Sequence, residues 1–287
     1  MTRLPPHIYH FPGNTAGPCV VVMGGVHGDE KVGVQIVEKL KGLLSMEKIS
    51  GEIYLIIGNP RAAQKRVRFI DCDLNRLFGD NFHNSNYEEK RASQIAQFLA
   101  KADFLLDIHS TTKKSVPFVY CGNTEKHFAL ARIFGTKYIV SPSSTFKKTG
   151  LGACTDNFVD KNGGIGITYE CGWNDDSSMF DEAFFKTKQF LKVLGVAFFE
   201  TPSTEISQEP IYLQVYAKII AESEDFAFAN EYNNFDFVKK GQKIAVDGKK
   251  TIFAEKDSYI IFPKKDTSPK SVVCFLGWSC LYDPYPI

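Results

Sequence analysis

Four groups of residues in this sequence have side chains able to hold a metal ion or move a proton. The first is His27-Gly28-Asp29-Glu30. In a turn entering a helix, positions i and i+3 are neighbours, so this spacing can aim an imidazole and a carboxylate at one spot. Both side chains are established zinc ligands. The second is Asp107-Ile108-His109-Ser110-Thr111-Thr112, where an apolar run ends in polar residues. Joined to the first, His109 would complete a His₂Glu set, which leaves one zinc position for water, as catalytic rather than structural sites do. Asp107 is placed to orient that ring, although strand alternation could equally turn it into the core. The third is Thr168-Tyr169-Glu170-Cys171-Gly172. A carboxylate beside an activated water can serve as general base and then return the proton to a leaving amine.

The fourth group is Arg61 to Arg76, with five cationic side chains in sixteen residues of a chain otherwise near neutral. The planar guanidinium fork suits a carboxylate, Asn75 adds a donor, and one arginine could face a carbonyl oxygen as it gains charge. Each group alone has a plainer explanation. His27 to Glu30 could be an exposed helix start whose acids answer the helix dipole, and His109 a hydrogen-bonded strand-end histidine. Glu170 could lie on the surface, and Asp71 and Asp73 could simply neutralise the arginines. The weight lies in the combination.

For these groups to meet, a scaffold must bring them to one edge. Val20-Val21-Val22-Met23 reads as a buried strand leaving through Gly24-Gly25. An amphipathic helix follows, with Val32, Ile36, Val37, Leu40 and Leu44 on one face and Asp29-Glu30 in its first turn. Ile53 to Ile57 is a second strand, stopped by Gly58-Asn59-Pro60. Residues 61–86 lack a period and read as a long ordered loop. A helix over Tyr87–Ala100 precedes the strand Phe104–Ile108, and strands near 118–120, 138–140 and 165–170 then alternate with helices near 124–134, 153–160 and 177–199. This alternation predicts an α/β fold, a mostly parallel mixed sheet with helices on both faces. In such sheets ligands bind beyond the carboxyl ends of the strands, where His27, His109 and Glu170 fall. From about Thr201-Pro202 the pattern changes to short strand-like runs separated by Gly, Asp and Asn turns. We therefore expect a domain over 1–202 and a small all-β domain over 203–287.

Composition narrows the partners. With 34 Lys+Arg against 33 Asp+Glu the net charge is +1, so no global field points to nucleic acid or membrane. No run of about 18 apolar residues exists to span a bilayer, and the N-terminus lacks the apolar run of a signal peptide. Seven cysteines at irregular spacing, without a C-x-x-C pair, fit a reducing compartment and a cytoplasmic location. Cys72 and Cys171 have no evident role beyond packing.

Taken together, the sequence resembles the aspartoacylase/succinylglutamate desuccinylase family of the zinc carboxypeptidase clan. The resemblance rests on Gly24-Gly25-Val26-His27-Gly28-Asp29-Glu30, Asn59-Pro60-Arg61-Ala62, Ile70-Asp71-Cys72-Asp73-Leu74-Asn75-Arg76, Asp107-Ile108-His109 and Glu170-Cys171-Gly172, all in the family's order over roughly residues 18–200. It implies one zinc ion on His27, Glu30 and His109, with Glu170 as general base and acid. Arg68 would polarise the scissile carbonyl, Asn75 and Arg76 would grip a substrate carboxylate, and Asp73 would orient its neighbours. The implied activity is hydrolysis of the amide of a small anionic N-acyl amino acid, with the β-rich tail shaping the entrance.

One departure bears on the substrate. The family's aspartoacylases are expected to carry a further arginine shortly before the catalytic glutamate, yet no arginine follows Arg132 here. Lys147, Lys148 or Lys161 could stand in as point charges. The family's tyrosine near the end of the β domain also lacks a counterpart around Lys264–Val273. Two alternatives remain open at this point. The first is a zinc carboxypeptidase acting on small peptides. The second is a catalytically silent metal-binding protein, suggested by a weak likeness of Val238–Ala245 to lipoyl-like docking domains.

Overall fold

The predicted strands carry apolar residues on both sides of their pleat, and the computed structural model shows both sides buried. It describes residues 4–79, 81–143, 146, 153–200, 209–264 and 267–280. Its strands in chain order are β1 (Ile8–Pro12), β2 (Thr15–Gly24), β3 (Ser50–Ile57), β4 (Phe104–Thr111), β5 (Phe118–Cys121), β6 (Tyr138–Pro142) and β7 (Ile165–Trp173), followed by β8 (Ile211–Ile220), β9 (Ala227–Phe228), β10 (Phe237–Val238), β11 (Lys243–Asp247), β12 (Lys250–Phe253), β13 (Ser258–Ile261) and β14 (Val272–Cys280). Eleven strands form one sheet in the order β1-β3-β2-β4-β7-β5-β6-β8-β14-β13-β10, and β12-β11-β9 form a second. The pairs β3–β2, β2–β4, β4–β7, β5–β6 and β6–β8 are parallel.

The helices are α1 (Lys31–Leu44), α2 (Pro60–Lys65), α3 (Tyr87–Leu99), α4 (Glu125–Arg132), α5 (Thr155–Lys161) and α6 (Met179–Val193). Val20, Val22, Ile53, Leu55, Leu106 and Ile108 join one core with Ile36 and Leu40 of α1, Phe128 of α4 and Phe190 of α6. Val21, Met23, Tyr54, Ile56 and Leu105 join the other with Ile95 and Leu99 of α3 and Val159 of α5. The period of two thus sends successive side chains into different cores, which fixes the register of the central strands. Helix α1 lies close on β2, because a Cβ on Gly24 would meet the Gly33 backbone at 2.4 Å.

Three expectations shift. Helix α1 starts at Lys31 with no acidic residue in its first turn, and Glu30 at its N-cap makes no side-chain cap. The segment expected as loop opens with α2, where Asn59 caps the Ala62 amide and Pro60 needs no donor. A 3₁₀ turn follows at Leu74–Arg76. The last long helix stops at Val193 rather than near 199; Gly195 takes φ 69° and Ala197 bridges to Ile49.

The expected boundary at 202–203 lies outside the described residues. Beyond it every described element is a strand, and β8 extends the large sheet by pairing parallel to β6 from Tyr138↔Ile211 to Pro142↔Val215. Phe118, Tyr138 and Val140 share a core with Leu213, Val215, Phe235 and Ile261. No helix among the described residues is long and apolar enough to cross a membrane.

Candidate active site

The chain runs from β2 to β3 on one side and returns to β4 on the other. The carboxyl ends of β2 and β4 therefore form a topological switch point. His27 and Glu30 follow β2, while His109 ends β4 and pairs in register with Glu170 of β7. The turn holding His27 is pressed onto α2: a Cβ on Gly28 would meet the Ala62 backbone at 2.1 Å, so only glycine fits.

Glu30 is the hub. Its Oε1 lies 2.7 Å from His27 Nδ1 and its Oε2 2.9 Å from His109 Nδ1, and the Ser110 amide donates to Oε2 at 3.3 Å. One ligand atom from each of the three residues falls within 4.8 Å of the others, and all three residues are buried. The outer ring nitrogens face acids. His27 Nε2 is 3.1 Å from Asp73 Oδ1, and His109 Nε2 is 3.0 Å from Asp107 Oδ2, there without hydrogen-bond alignment. Asp107 is 0% exposed and accepts from Thr155 Oγ1 at 2.6 Å. Two rings converging on one carboxylate, each backed by another, is a donor set that fits a divalent cation such as zinc. Burial opposes charging both rings, yet Glu30 with Asp73 raises His27, and Asp107 with Glu30 raises His109 further. Burial likewise resists the Glu30 charge, but the two histidines hold its carboxyl well below the usual range.

Glu170 is different. It is 7% exposed and its Oε2 has no hydrogen-bond partner among the described residues. Burial raises it to about 7, with His109 opposing and Glu30 adding to the rise. A carboxyl near neutrality is suited to both accepting and returning a proton at physiological pH.

The sixteen-residue arginine segment is organised by acids. Arg68 Nη2 lies 2.9 Å from His27 Nε2 and 3.3 Å from Asp73 Oδ2, and Nη1 is 3.7 Å from Glu30. Asp73 also accepts from the Asn75 amide at 2.9 Å. Asn75 Oδ1 accepts from the Thr155 amide at 3.1 Å, which leaves its NH₂ to donate elsewhere, and Arg76 reaches Cys154 Sγ at 3.4 Å. Arg68, Asp73, Asn75, Arg76 and Cys154 line one cavity of about 600 Å³ with His27, Glu30, His109 and Glu170.

Sequence reasoning missed several contributors. Tyr120, Cys154 and Asp156 line the cavity, and so do Asn234, Phe262 and Phe275 from the C-terminal strands and their loops. Of the lysines considered as substitutes, Lys147 and Lys148 lie outside the described residues, and Lys161 is not at the cavity; Lys113 and Lys264 line it instead. Also missed was Glu88 on α3, fully buried, which accepts from Asn59 Nδ2 at 2.9 Å and from the Ile70 and Asp71 amides at 2.7 and 3.0 Å. No local pattern marks it, because its partners are 17 to 29 positions away.

An α/β protein with a His–Glu–His donor set at the carboxyl ends of its central strands is the class that fold and site define. The chain belongs to the succinylglutamate desuccinylase/aspartoacylase family, whose catalytic domain matches residues 16–189. Among curated relatives, a Nostoc protein named "Probable aspartoacylase" is 30% identical over 184 residues, covering 60% of this chain and 61% of that one. The human N-acyl-aromatic-L-amino acid amidohydrolase (carboxylate-forming) is 33% identical over 124 residues, 39% of each chain. The chain thus spans less than two thirds of either relative in these matches. The succinylglutamate desuccinylase of Vibrio parahaemolyticus shares the fold, with a TM-score of 0.76 at 19% identity over 95% of this chain and 86% of that one.

Proposed function

We propose that this chain is a zinc-dependent deacylase that hydrolyses the amide of a small N-acyl amino acid bearing a free carboxylate. The observation that carries this reading is Glu170, whose buried, unpartnered carboxylate oxygen lines the same cavity as the His27–Glu30–His109 set. Zinc held by those three residues would supply Lewis acidity and make water a better nucleophile near neutral pH. Arg76 and the Asn75 amide group would hold the substrate carboxylate, a bidentate contact that fixes the amide within the cavity. Arg68, 39% exposed on its side chain, would turn one guanidinium N–H to the amide oxygen as charge develops there. Asp73 positions Arg68 and His27 rather than touching substrate. Glu170 would take a proton from the attacking water and deliver it to the amide nitrogen as the C–N bond breaks.

Aromatic residues of the C-terminal strands and loops line the cavity, which favours small acyl-amino acids over longer peptides. All seven cysteines are free, which supports a cytoplasmic setting. The test is amine release from N-acyl amino acids and peptides of increasing length, alongside metal analysis of the purified protein. Glu170→Gln should retain zinc and lose about 1000-fold in kcat. Wild-type turnover in that variant would remove Glu170 from the chemistry.

A further inference from the structure

The cavity carries both signs of charge. Arg68, Arg76, Lys113 and Lys264 bring positive side chains to it, which is expected for a carboxylate-bearing substrate. Asp156 is not expected. It is 4% exposed and lines the same cavity. Among the described residues it forms no ion pair, and burial raises its carboxyl to about 6, with Asp160 and Asp107 adding to the rise. A buried carboxylate without a counter-charge is costly, so its presence at a cavity calls for a positive partner.

Its position says where such a partner would sit. Asp156 follows Cys154 and Thr155, the residues that contact Arg76 and hold Asn75 through the Thr155 amide. The carboxylate grip and Asp156 are therefore neighbours along one strip of the wall. Beside them the Tyr120 hydroxyl, shielded from solvent, has no hydrogen-bond partner among the described residues. Asp156 is close enough to Tyr120 for its charge to add to the effect of burial on that hydroxyl. A carboxylate and a phenol oxygen lining one cavity offer two acceptors to an ammonium, which brings three donors. The plainer role for Asp156, answering the dipole at the start of α5, does not require burial against a cavity. The sequence has no arginine after Arg132, so no guanidinium stands in this stretch beside Asp156.

We propose that Asp156, aided by the Tyr120 hydroxyl, selects N-acyl amino acids whose side chain ends in an amine, so that the substrate is held by its α-carboxylate at Arg76 and Asn75 and by its ammonium at Asp156. This deepens the deacylase reading and rests on it. Acidic side chains such as that of acetylaspartate would meet Asp156 as a like charge and be rejected.

The experiment compares Nα-acetyl-L-2,4-diaminobutyrate, Nα-acetyl-L-ornithine and Nα-acetyl-L-lysine with N-acetyl-L-norvaline and N-acetyl-L-aspartate. Wild type and Asp156→Asn are assayed with metal bound, and binding of the corresponding free amino acids is measured by calorimetry. At least one amine-terminated substrate should exceed norvaline in kcat/KM, with aspartate worst. In Asp156→Asn the ratio of amine-terminated to norvaline kcat/KM should fall about 30- to 100-fold. A preference for acetylaspartate in wild type, or a variant that slows all substrates equally and keeps the ratio, would overturn the inference. Calorimetry separates the two claims. Asp156-dependent binding of the free diamino acids without hydrolysis of any substrate upholds the charge selection and sinks the deacylase reading. Hydrolysis blind to side-chain charge sinks the selection and leaves the deacylase.

Discussion

The strand-end floor and the arginine segment supply the same cavity but are held in place by different means. His27, Glu30, His109 and Glu170 stand on or directly after β2, β4 and β7, whose positions are set by parallel ladders and two buried cores. Arg68, Asn75 and Arg76 stand on a segment with only α2 and one 3₁₀ turn. That segment is tied down by Glu88 and, next to it, by buried Arg91, which donates to the Gly58 and Ile57 carbonyls at 2.9 and 2.8 Å. The floor is over-determined by the fold, whereas the segment hangs from a few buried polar contacts. With the roles proposed above, such an arrangement would keep proton chemistry rigid while leaving substrate recognition free to vary.

The comparison can be broken most severely at its hub. Glu30→Ala removes the carboxylate shared by both histidines, and we expect loss of bound metal and background turnover, read by metal analysis and amine release. Because the sheet carries the fold, the variant should still unfold cooperatively in urea. Next in size is Glu88→Ala, which strips acceptors from three donors at about 1–3 kcal/mol each for the buried ones. We expect roughly 3–5 kcal/mol less stability in urea unfolding and a KM rise larger than the fall in kcat. A KM left at its wild-type value would show that the segment holds its shape without Glu88. The mildest test is pH. A substrate without a charged side chain separates the floor from Asp156, whose carboxyl burial raises to about 6. Burial raises Glu170 to about 7, and the base must be ionised, so kcat/KM should fall about tenfold per unit as pH drops below that value. A flat profile between pH 5 and 7 would exclude Glu170 as the base.

The same contrast explains what could be read from the sequence. The floor was legible because apolar runs ending at Gly24-Gly25 and at Asp107-Ile108-His109 announce buried strands with polar tips. Chemistry at such tips has a known destination. The segment was legible as a cluster of charges but not as a shape, since Asn59-Pro60 is a helix start that also resembles a turn. Nothing in the helix expected over Tyr87–Ala100 marks Glu88 and Arg91, and only tertiary contact shows them buried. Glu30 was placed in the first turn of α1 on propensity, whereas the two histidines draw its carboxylate away from the helix end. Asp156 passed unnoticed for the same reason, since an acid opening a helix needs no further explanation until it is seen facing a cavity.

The position of β14 has a consequence for how the molecule is built. It pairs with β8 on one side and β13 on the other, although β8 is made long before it. Until β14 emerges, β8 has an open, largely apolar edge, and Ser271 and Phe275 are missing from the cavity wall. A nascent chain released before that point would hold His27, Glu30, His109 and Glu170 in a cleft missing part of its wall, beside a strand edge ready to pair with another chain.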